Sequence, residues 1–152
     1  MEVFTRSIGP SRLPEGPYVL LVDDEFQSVQ PLRDLVRYSG YASVATRAAT
    51  DAMACCFHRQ PTVVVTDLMM PRTDGRALAI RVRRRHPTIP IVLVTGQNLE
   101  VPEWAIPEGL FDAIFSKPLD FDRFLLTLIG LMERGVKSIR GSADLDPDRC
   151  YQ

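Results

Sequence analysis

The chain of 152 residues is 45% hydrophobic and 24% charged, the balance of an ordinary globular domain, which excludes a chain disordered throughout. Eighteen lysines and arginines stand against nineteen aspartates and glutamates, a net charge of −1 that supplies no general attraction to nucleic acid or to an acidic membrane. The length suits one domain with loose ends rather than a large multidomain enzyme.

The longest apolar runs, such as Val19–Val22 and Ile91–Val94, are far shorter than the roughly 20 residues that span a bilayer. Residues 1–17 lack the apolar run of a secretory signal, so a cytoplasmic location is expected. Cys55, Cys56 and Cys150 show no metal-ligand spacing. They read as buried or spare thiols, with the adjacent pair pointing to different faces of a helix. His58 and His86 have no partner at ligand spacing and read as polar residues at helix ends.

In chain order, residues 1–17 carry three prolines and two glycines and read as an irregular leader. Tyr18–Val22 is an apolar run that stops at Asp23-Asp24-Glu25, the pattern of a strand buried on both faces. Val29, Leu32, Leu35 and Val36 fall on one face of a helix that stops at Gly40, in which Pro31 is acceptable only within the first turn. Tyr41–Thr46 is a second strand, and residues 50–58 form a second helix ended by Pro61. The β-branched run Thr62–Thr66 leads to Asp67, and a helix from about Asp74 to Arg85 is stopped by Pro87. Arg81, Arg83, Arg84 and Arg85 form a basic run at its end, read as a solvated face favourable to the helix dipole, with a partner surface as the alternative. Ile89–Val94 is a fourth strand ending at Thr95. The stretch 97–109 is interrupted by Pro102 and Pro107, and its Trp104 reads as a packing residue or a partner contact. Ala113–Ser116 is a short fifth strand. Phe121, Phe124, Leu125, Leu128 and Met132 mark an amphipathic helix to about Arg134, and residues 135–152 read as a polar tail.

Strand and helix thus alternate about five times between residues 18 and 134, which predicts an α/β domain: a doubly wound, five-stranded parallel sheet with helices on both faces. In such a sheet ligands bind beyond the carboxyl ends of the strands. There lie Asp23 and Asp24 after the first strand, Asp67 after the third, Thr95 after the fourth and Lys117 after the fifth. Three gathered carboxylates repel, and a hard divalent ion relieves that repulsion; Mg²⁺ suits the all-oxygen set. With the cation in place a carboxylate can attack phosphorus, while Lys117 and Thr95 offset the charge of the phosphoryl oxygens.

The strings Val-Leu-Leu-Val-Asp-Asp-Glu (19–25), Asp-Leu-Met-Met-Pro-Arg-Thr-Asp-Gly (67–75), Val-Thr-Gly (94–96) and Ser-Lys-Pro (116–118) together resemble the receiver domain of response regulators, the phosphoacceptor of two-component signalling. The resemblance covers residues 18 to about 134 and implies a flavodoxin-like receiver fold. It implies that Asp67 accepts the phosphoryl group and that Mg²⁺ (or Mn²⁺) is held by Asp24, Asp67, Asp23 in part through water, and the backbone carbonyl of Met69. Thr95 and Lys117 would bind the phosphoryl group, Pro118 would follow a cis bond, and Pro71 and Gly75 would shape the loop after Asp67. The implied partners are a sensor histidine kinase or a histidine phosphotransfer protein and a downstream protein, with a second copy of the chain a further candidate. A DNA-binding domain is not expected, because only 18 residues follow Arg134, and no membrane contact is expected, because no apolar run is long enough to span a bilayer. The protein is therefore expected to be a stand-alone phosphoacceptor rather than an enzyme acting on other molecules.

Two departures from the family pattern bear on the switch. The position usually held by an aromatic, three before the lysine, is Ile114, while alternation turns Phe115 to the other face. Ile114 and the segment 97–107 would then carry whatever readout follows movement of Thr95. The two positions that tune hydrolysis in the family are Met69 and Gln97; an apolar Met69 gives an attacking water no side-chain partner, so a longer phosphoryl lifetime than in fast chemotaxis-type regulators is expected. The alternative function is a receiver-fold interaction module that works without phosphorylation. A haloacid-dehalogenase-type phosphatase needs Asp-x-Asp after the first strand, and the sequence here is Asp-Asp-Glu.

Overall fold

The computed structural model describes residues 3–4, 13–70, 74–96 and 109–143, with the side chains of Val3, Phe4, Phe26 and residues 138–143 left undescribed. Pro71, Gln97, Trp104 and Cys150 lie outside those residues. The elements run β1 (Val3–Phe4), β2 (Tyr18–Val22), α1 (Phe26–Tyr38), β3 (Ala42–Thr46), α2 (Ala49–His58), β4 (Val63–Asp67), α3 (Gly75–Arg85), β5 (Ile91–Thr95), β6 (Ala113–Ser116) and α4 (Phe121–Ala143). All the strand pairings are parallel, in the order β1-β3-β2-β4-β5-β6. The five strands β2 to β6 are those expected, with ends that differ by one or two residues. The two-residue β1 lies within the expected irregular leader and adds to the β3 edge.

Alternation within each strand sorts the core into two layers. Leu20, Val22, Val44, Val64 and Ile91 face α2 and α3 through Ala52, Cys55, Cys56, Leu78 and Val82. Val19, Leu21, Val65, Val92, Val94 and Phe115 face α1 and α4 through Val29, Leu32, Val36, Phe124, Leu128 and Met132. Phe115 packs edge-on against Phe124 at 5.4 Å between ring centroids. Burying these residues on both faces is the main stabilising term, at ~25 cal/mol per Å² of apolar surface. Cys55 and Cys56 enter the same layer rather than opposite faces, and burial holds their thiols protonated, up to about 11 and about 12.

Two local expectations are corrected. Helix α1 starts at Phe26, so Pro31 lies in its second turn and gives no N–H to the Gln27 carbonyl. Both residues are exposed, and the buried Val29, Leu32 and Val36 behind them hold the helix despite the lost bond. Helix α4 does not stop near Arg134 but continues to Ala143. Propagating an established helix costs little even through polar residues. Gly135 in its middle is needed for packing, because a Cβ there would lie 2.7 Å from Thr62 Cγ2 and 3.0 Å from the Thr62 carbonyl oxygen.

The basic run is likewise only partly a solvated face. Arg83 turns inward and donates to the carbonyls of Leu110, Pro87 and Ile89, and its Nη2 lies 2.7 Å from Asp112 Oδ2. The same carboxylate accepts from the Ile91 N–H at 2.8 Å and from Arg134 at 2.9 Å, tying α3, β5, β6 and α4 together at the amino-terminal edge of the sheet. Burial pushes the Asp112 carboxyl up, but the Ile91 N–H, Arg83 and Arg134 together outweigh it and hold it below its ordinary value. A depressed carboxyl stabilises the fold above its unfolded pKa of about 3.9, and the benefit is lost as pH falls through the folded value. Asp112→Asn is therefore expected to cost about 1–3 kcal/mol at pH 7, with the difference from wild type shrinking as pH falls below about 3.9; urea midpoints measured on either side of that pH check it.

Candidate functional site

The chain passes from β2 outward to β3 and then returns across β2 to β4, which leaves a crevice at the carboxyl ends of β2 and β4. The register decides what lines it. Val22 pairs with Thr66, Asp67 with Val94, and Thr95 with Ser116. Asp23, Asp67, Thr95 and Lys117 thus sit at, or one residue beyond, the ends of successive ladders. Four residues far apart in sequence are brought to one level because each strand end is offset from the next by at most one residue.

Carboxylate oxygens of Asp23, Asp24 and Asp67 lie within 4.8 Å of one another, an arrangement able to hold a metal ion. Asp23 is 6% exposed; its Oδ1 accepts the Glu25 N–H at 2.9 Å, and its own N–H donates to the Thr46 carbonyl at 3.1 Å. Asp67 Oδ1 accepts the Leu68 N–H at 2.7 Å. Lys117 Nζ stands between the two, 3.8 Å from Asp23 Oδ2 and 3.9 Å from Asp67 Oδ2. The Lys117-Pro118 peptide bond is cis, and the Lys117 N–H donates to the Thr95 carbonyl at 2.7 Å. Thr95 Oγ1 is buried and has no hydrogen-bond partner among the described residues. An unsatisfied buried hydroxyl costs free energy unless a ligand completes it, so Thr95 Oγ1, at the carboxyl end of β5, has hydrogen-bonding capacity left to use.

One ammonium does not balance three carboxylates. Burial, with Asp67 and Asp24 adding to it and the Glu25 N–H and Lys117 opposing, raises Asp23 to about 6. Asp67 is raised as well, chiefly by burial; Lys117 and the Leu68 and Met69 N–H groups oppose that, and Asp24 adds to it. A divalent cation among these oxygens replaces the retained proton and fits a donor set made only of hard oxygens.

The remaining expected residues are placed as follows. Met69 is exposed, and its neighbour Met70 packs against the core. Ile114 is 50% exposed and Phe115 is buried, as strand alternation requires. Gly75, the first residue of α3, donates its N–H to the Leu68 carbonyl at 2.8 Å. A Cβ at Gly75 would meet the Asp67 carbonyl oxygen at 2.2 Å, so the backbone that carries Asp67 depends on glycine there. Asp74 caps α3 by accepting the Ala77 N–H at 2.8 Å. Ser28 belongs to no motif, yet its hydroxyl lies 3.5 Å from Lys117 Nζ and donates to Glu25 Oε2 at 3.2 Å. Only its place one turn into α1, behind the acidic pair, could have signalled this.

A parallel doubly wound sheet with an acidic cluster, an open hydroxyl and a lysine at its switch point defines a class of domain that takes an anionic group onto a carboxylate. Residues 19–129 match the family model described as "Response regulator receiver domain", and the chain belongs to that family, a phosphoacceptor module of two-component signalling. The chain is 31% identical over 125 residues to the nitrogen assimilation regulatory protein NtrX of Azorhizobium caulinodans; the match covers 80% of this chain and 26% of NtrX, so it spans about a quarter of that relative. It is 28% identical to the polar-differentiation response regulator DivK of Brucella ovis, over 72% of this chain and 91% of DivK. Among solved structures, the signal receiver domain of an HD-domain protein from Pseudomonas fluorescens superposes with a TM-score of 0.73 at 29% identity, covering 84% of this chain and 95% of that one. The receiver domain of NtrX from Brucella abortus does so at 0.69 and 29%, covering 76% and 98%. No helix among the described residues is long and apolar enough to cross a membrane.

Two outcomes test this geometry. A carboxyl raised in the folded state costs stability once pH exceeds its unfolded value, so without divalent cations the cost of Asp23 grows from about pH 4 and is complete above about pH 6. Asp23→Asn is expected to raise the thermal midpoint at pH 7 and leave it unchanged near pH 3.5. Gly75→Ala is expected to cost about 1–3 kcal/mol and to weaken any stabilisation by added metal, both read by denaturant titration with and without the cation.

Proposed function

We propose that this chain is a cytoplasmic receiver that accepts a phosphoryl group on Asp67 from a sensor histidine kinase or a histidine phosphotransfer protein, and signals by protein contact or by passing the group onward. The observation that carries this is the gathering of Asp23, Asp24 and Asp67 at the switch point of the sheet, with Lys117 between Asp23 and Asp67 and the Thr95 hydroxyl unsatisfied at the end of β5 among the described residues. The donor set fits Mg²⁺ or Mn²⁺, with Asp23, Asp24, Asp67 and the Met69 carbonyl as ligands; when bound, the ion neutralises the carboxylates and draws charge from the phosphoryl oxygens.

The protein's own residues then divide the work. One oxygen of Asp67 attacks the phosphorus of a phosphohistidine, a P–O bond forms, the P–N bond breaks, and the imidazole departs and takes up a proton. The Leu68 N–H, bonded to Asp67 Oδ1, fixes the carboxylate so that Oδ2 is the oxygen left to react. Lys117 balances the incoming negative charge, and Thr95 donates its hydroxyl hydrogen bond to a phosphoryl oxygen.

The exposed Ile114, where the family usually has an aromatic, favours a second reading, an interaction module that does not use phosphorylation. One experiment separates the two. With Mg²⁺ and acetyl phosphate, a phosphate-affinity gel is expected to show a shifted band that disappears in Asp67→Asn and on chelation. An unshifted band under conditions that label another receiver would instead establish the interaction module. The shifted species is expected to decay over minutes or longer, since Met69 gives an attacking water no side-chain hydrogen bond; decay within seconds would contradict that role for Met69.

A further inference from the structure

The Lys117 ammonium stands beside two carboxylates yet closes on neither. A charge-assisted N–H···O bond settles at about 2.7–2.9 Å, whereas Lys117 Nζ is 3.8 Å from Asp23 Oδ2 and 3.9 Å from Asp67 Oδ2. Coulomb attraction favours a closer approach, because it grows as the distance shortens. The ammonium is therefore held by something other than the carboxylates. Among the described residues its nearest polar contact is a neutral group, the Ser28 hydroxyl at 3.5 Å.

Ser28 suits that place by its chemistry and its anchorage. An ionised carboxylate only accepts and an ammonium only donates, whereas a hydroxyl does both. Ser28 gives its one hydroxyl proton to Glu25 Oε2 at 3.2 Å, which leaves its lone pairs for Lys117. The Ser28 N–H donates to the Glu25 carbonyl at 3.2 Å, and the Glu25 N–H donates to Asp23 Oδ1 at 2.9 Å. Asp23, Glu25, Ser28 and Lys117 thus form a circuit whose longest link is the one from Lys117 back to Asp23. Both sides of it are fixed to the fold. The buried Val29, Leu32 and Val36 seat the helix that carries Ser28, and the Lys117 N–H is bonded to the Thr95 carbonyl at 2.7 Å. We propose that Ser28 is the positioning residue for Lys117: its hydroxyl, oriented by Glu25, holds the ammonium back from Asp23 and Asp67 and so keeps their oxygens free for a divalent cation. This rests on the reading of the acidic cluster as a cation site given above. Without the hydroxyl the ammonium can move about 1 Å closer to the carboxylates, where it competes with the metal for the same oxygens.

Isothermal titration of MgCl₂ into the full chain, with the thermal midpoint measured in the absence of the metal, tests this. Ser28→Ala is expected to weaken Mg²⁺ binding on the order of three- to tenfold. Its metal-free midpoint is expected to stay level or rise, since alanine favours the helix and Lys117 gains closer partners. Ser28→Thr, which keeps the hydroxyl, is expected to bind Mg²⁺ as the wild type does. In a Lys117→Ala background Ser28→Ala is expected to have no further effect, because both changes act through one ammonium. Unchanged Mg²⁺ affinity in Ser28→Ala, a loss of equal size in the Lys117→Ala background, or a loss that Ser28→Thr shares overturns the proposal and leaves the cation site standing. A wild-type chain that takes up no Mg²⁺ overturns the cation site, and this inference with it.

Discussion

A parallel sheet covered on both faces leaves little room for charge within its strands, and the organisation of this receiver follows from that constraint. Residues 18–22 and 63–65 are apolar and buried because α1 and α4 lie on one side and α2 and α3 on the other. Every group that can do chemistry is displaced to the strand ends. Hydrogen-bonded ladders in register then bring those ends to a common level, so that Asp23, Asp67, Thr95 and Lys117 meet although as many as 94 positions separate them along the chain.

That convergence creates an electrostatic problem rather than a finished site. Asp23 and Asp67 sit where water is scarce and where a single ammonium, nearly 4 Å from each, offsets little of their charge. Both carboxyls are held above their ordinary range, and the Thr95 hydroxyl lacks a partner among the described residues. The site is thus destabilised in a way that a cation and a phosphoryl group together would relieve. A switch needs this property, since a ligand shifts an equilibrium only by its differential interaction with the two states. Gly75 shows how tightly the backbone is drawn around the site, because α3 begins in contact with the carbonyl of Asp67.

The opposite edge of the sheet is built differently. There Asp112 is satisfied by a backbone N–H and two guanidinium groups, and Arg83 by three carbonyls as well, so the charges stabilise the fold. The fold therefore places satisfied charge at one end of its strands and unsatisfied charge at the other. The long α4 crosses between them, and its close approach to Thr62 at Gly135 fixes how it lies on the sheet.

The chain order of β2 to β6 and of the helices between them, the two-faced burial of β2 and the identity of the acidic and basic residues at the strand ends were all determined by the sequence alone. These features are local: apolar runs end abruptly at Asp23, Asp67, Thr95 and Lys117, and helical spacing is readable within one or two turns. Only the tertiary structure decided what depends on contacts between distant segments. Arg83 looks like its exposed neighbours in sequence, and its inward turn exists because Asp112 and the carbonyls of Leu110, Pro87 and Ile89 converge on it. Cys55 and Cys56 share one core layer because α2 is covered by both the sheet and α3. Pro31 survives inside α1, and α4 runs on past Gly135, because packing and helix propagation outweigh local preference. Ser28 comes near Lys117 across 89 positions, a proximity that no spacing rule encodes and that chain folding alone supplies.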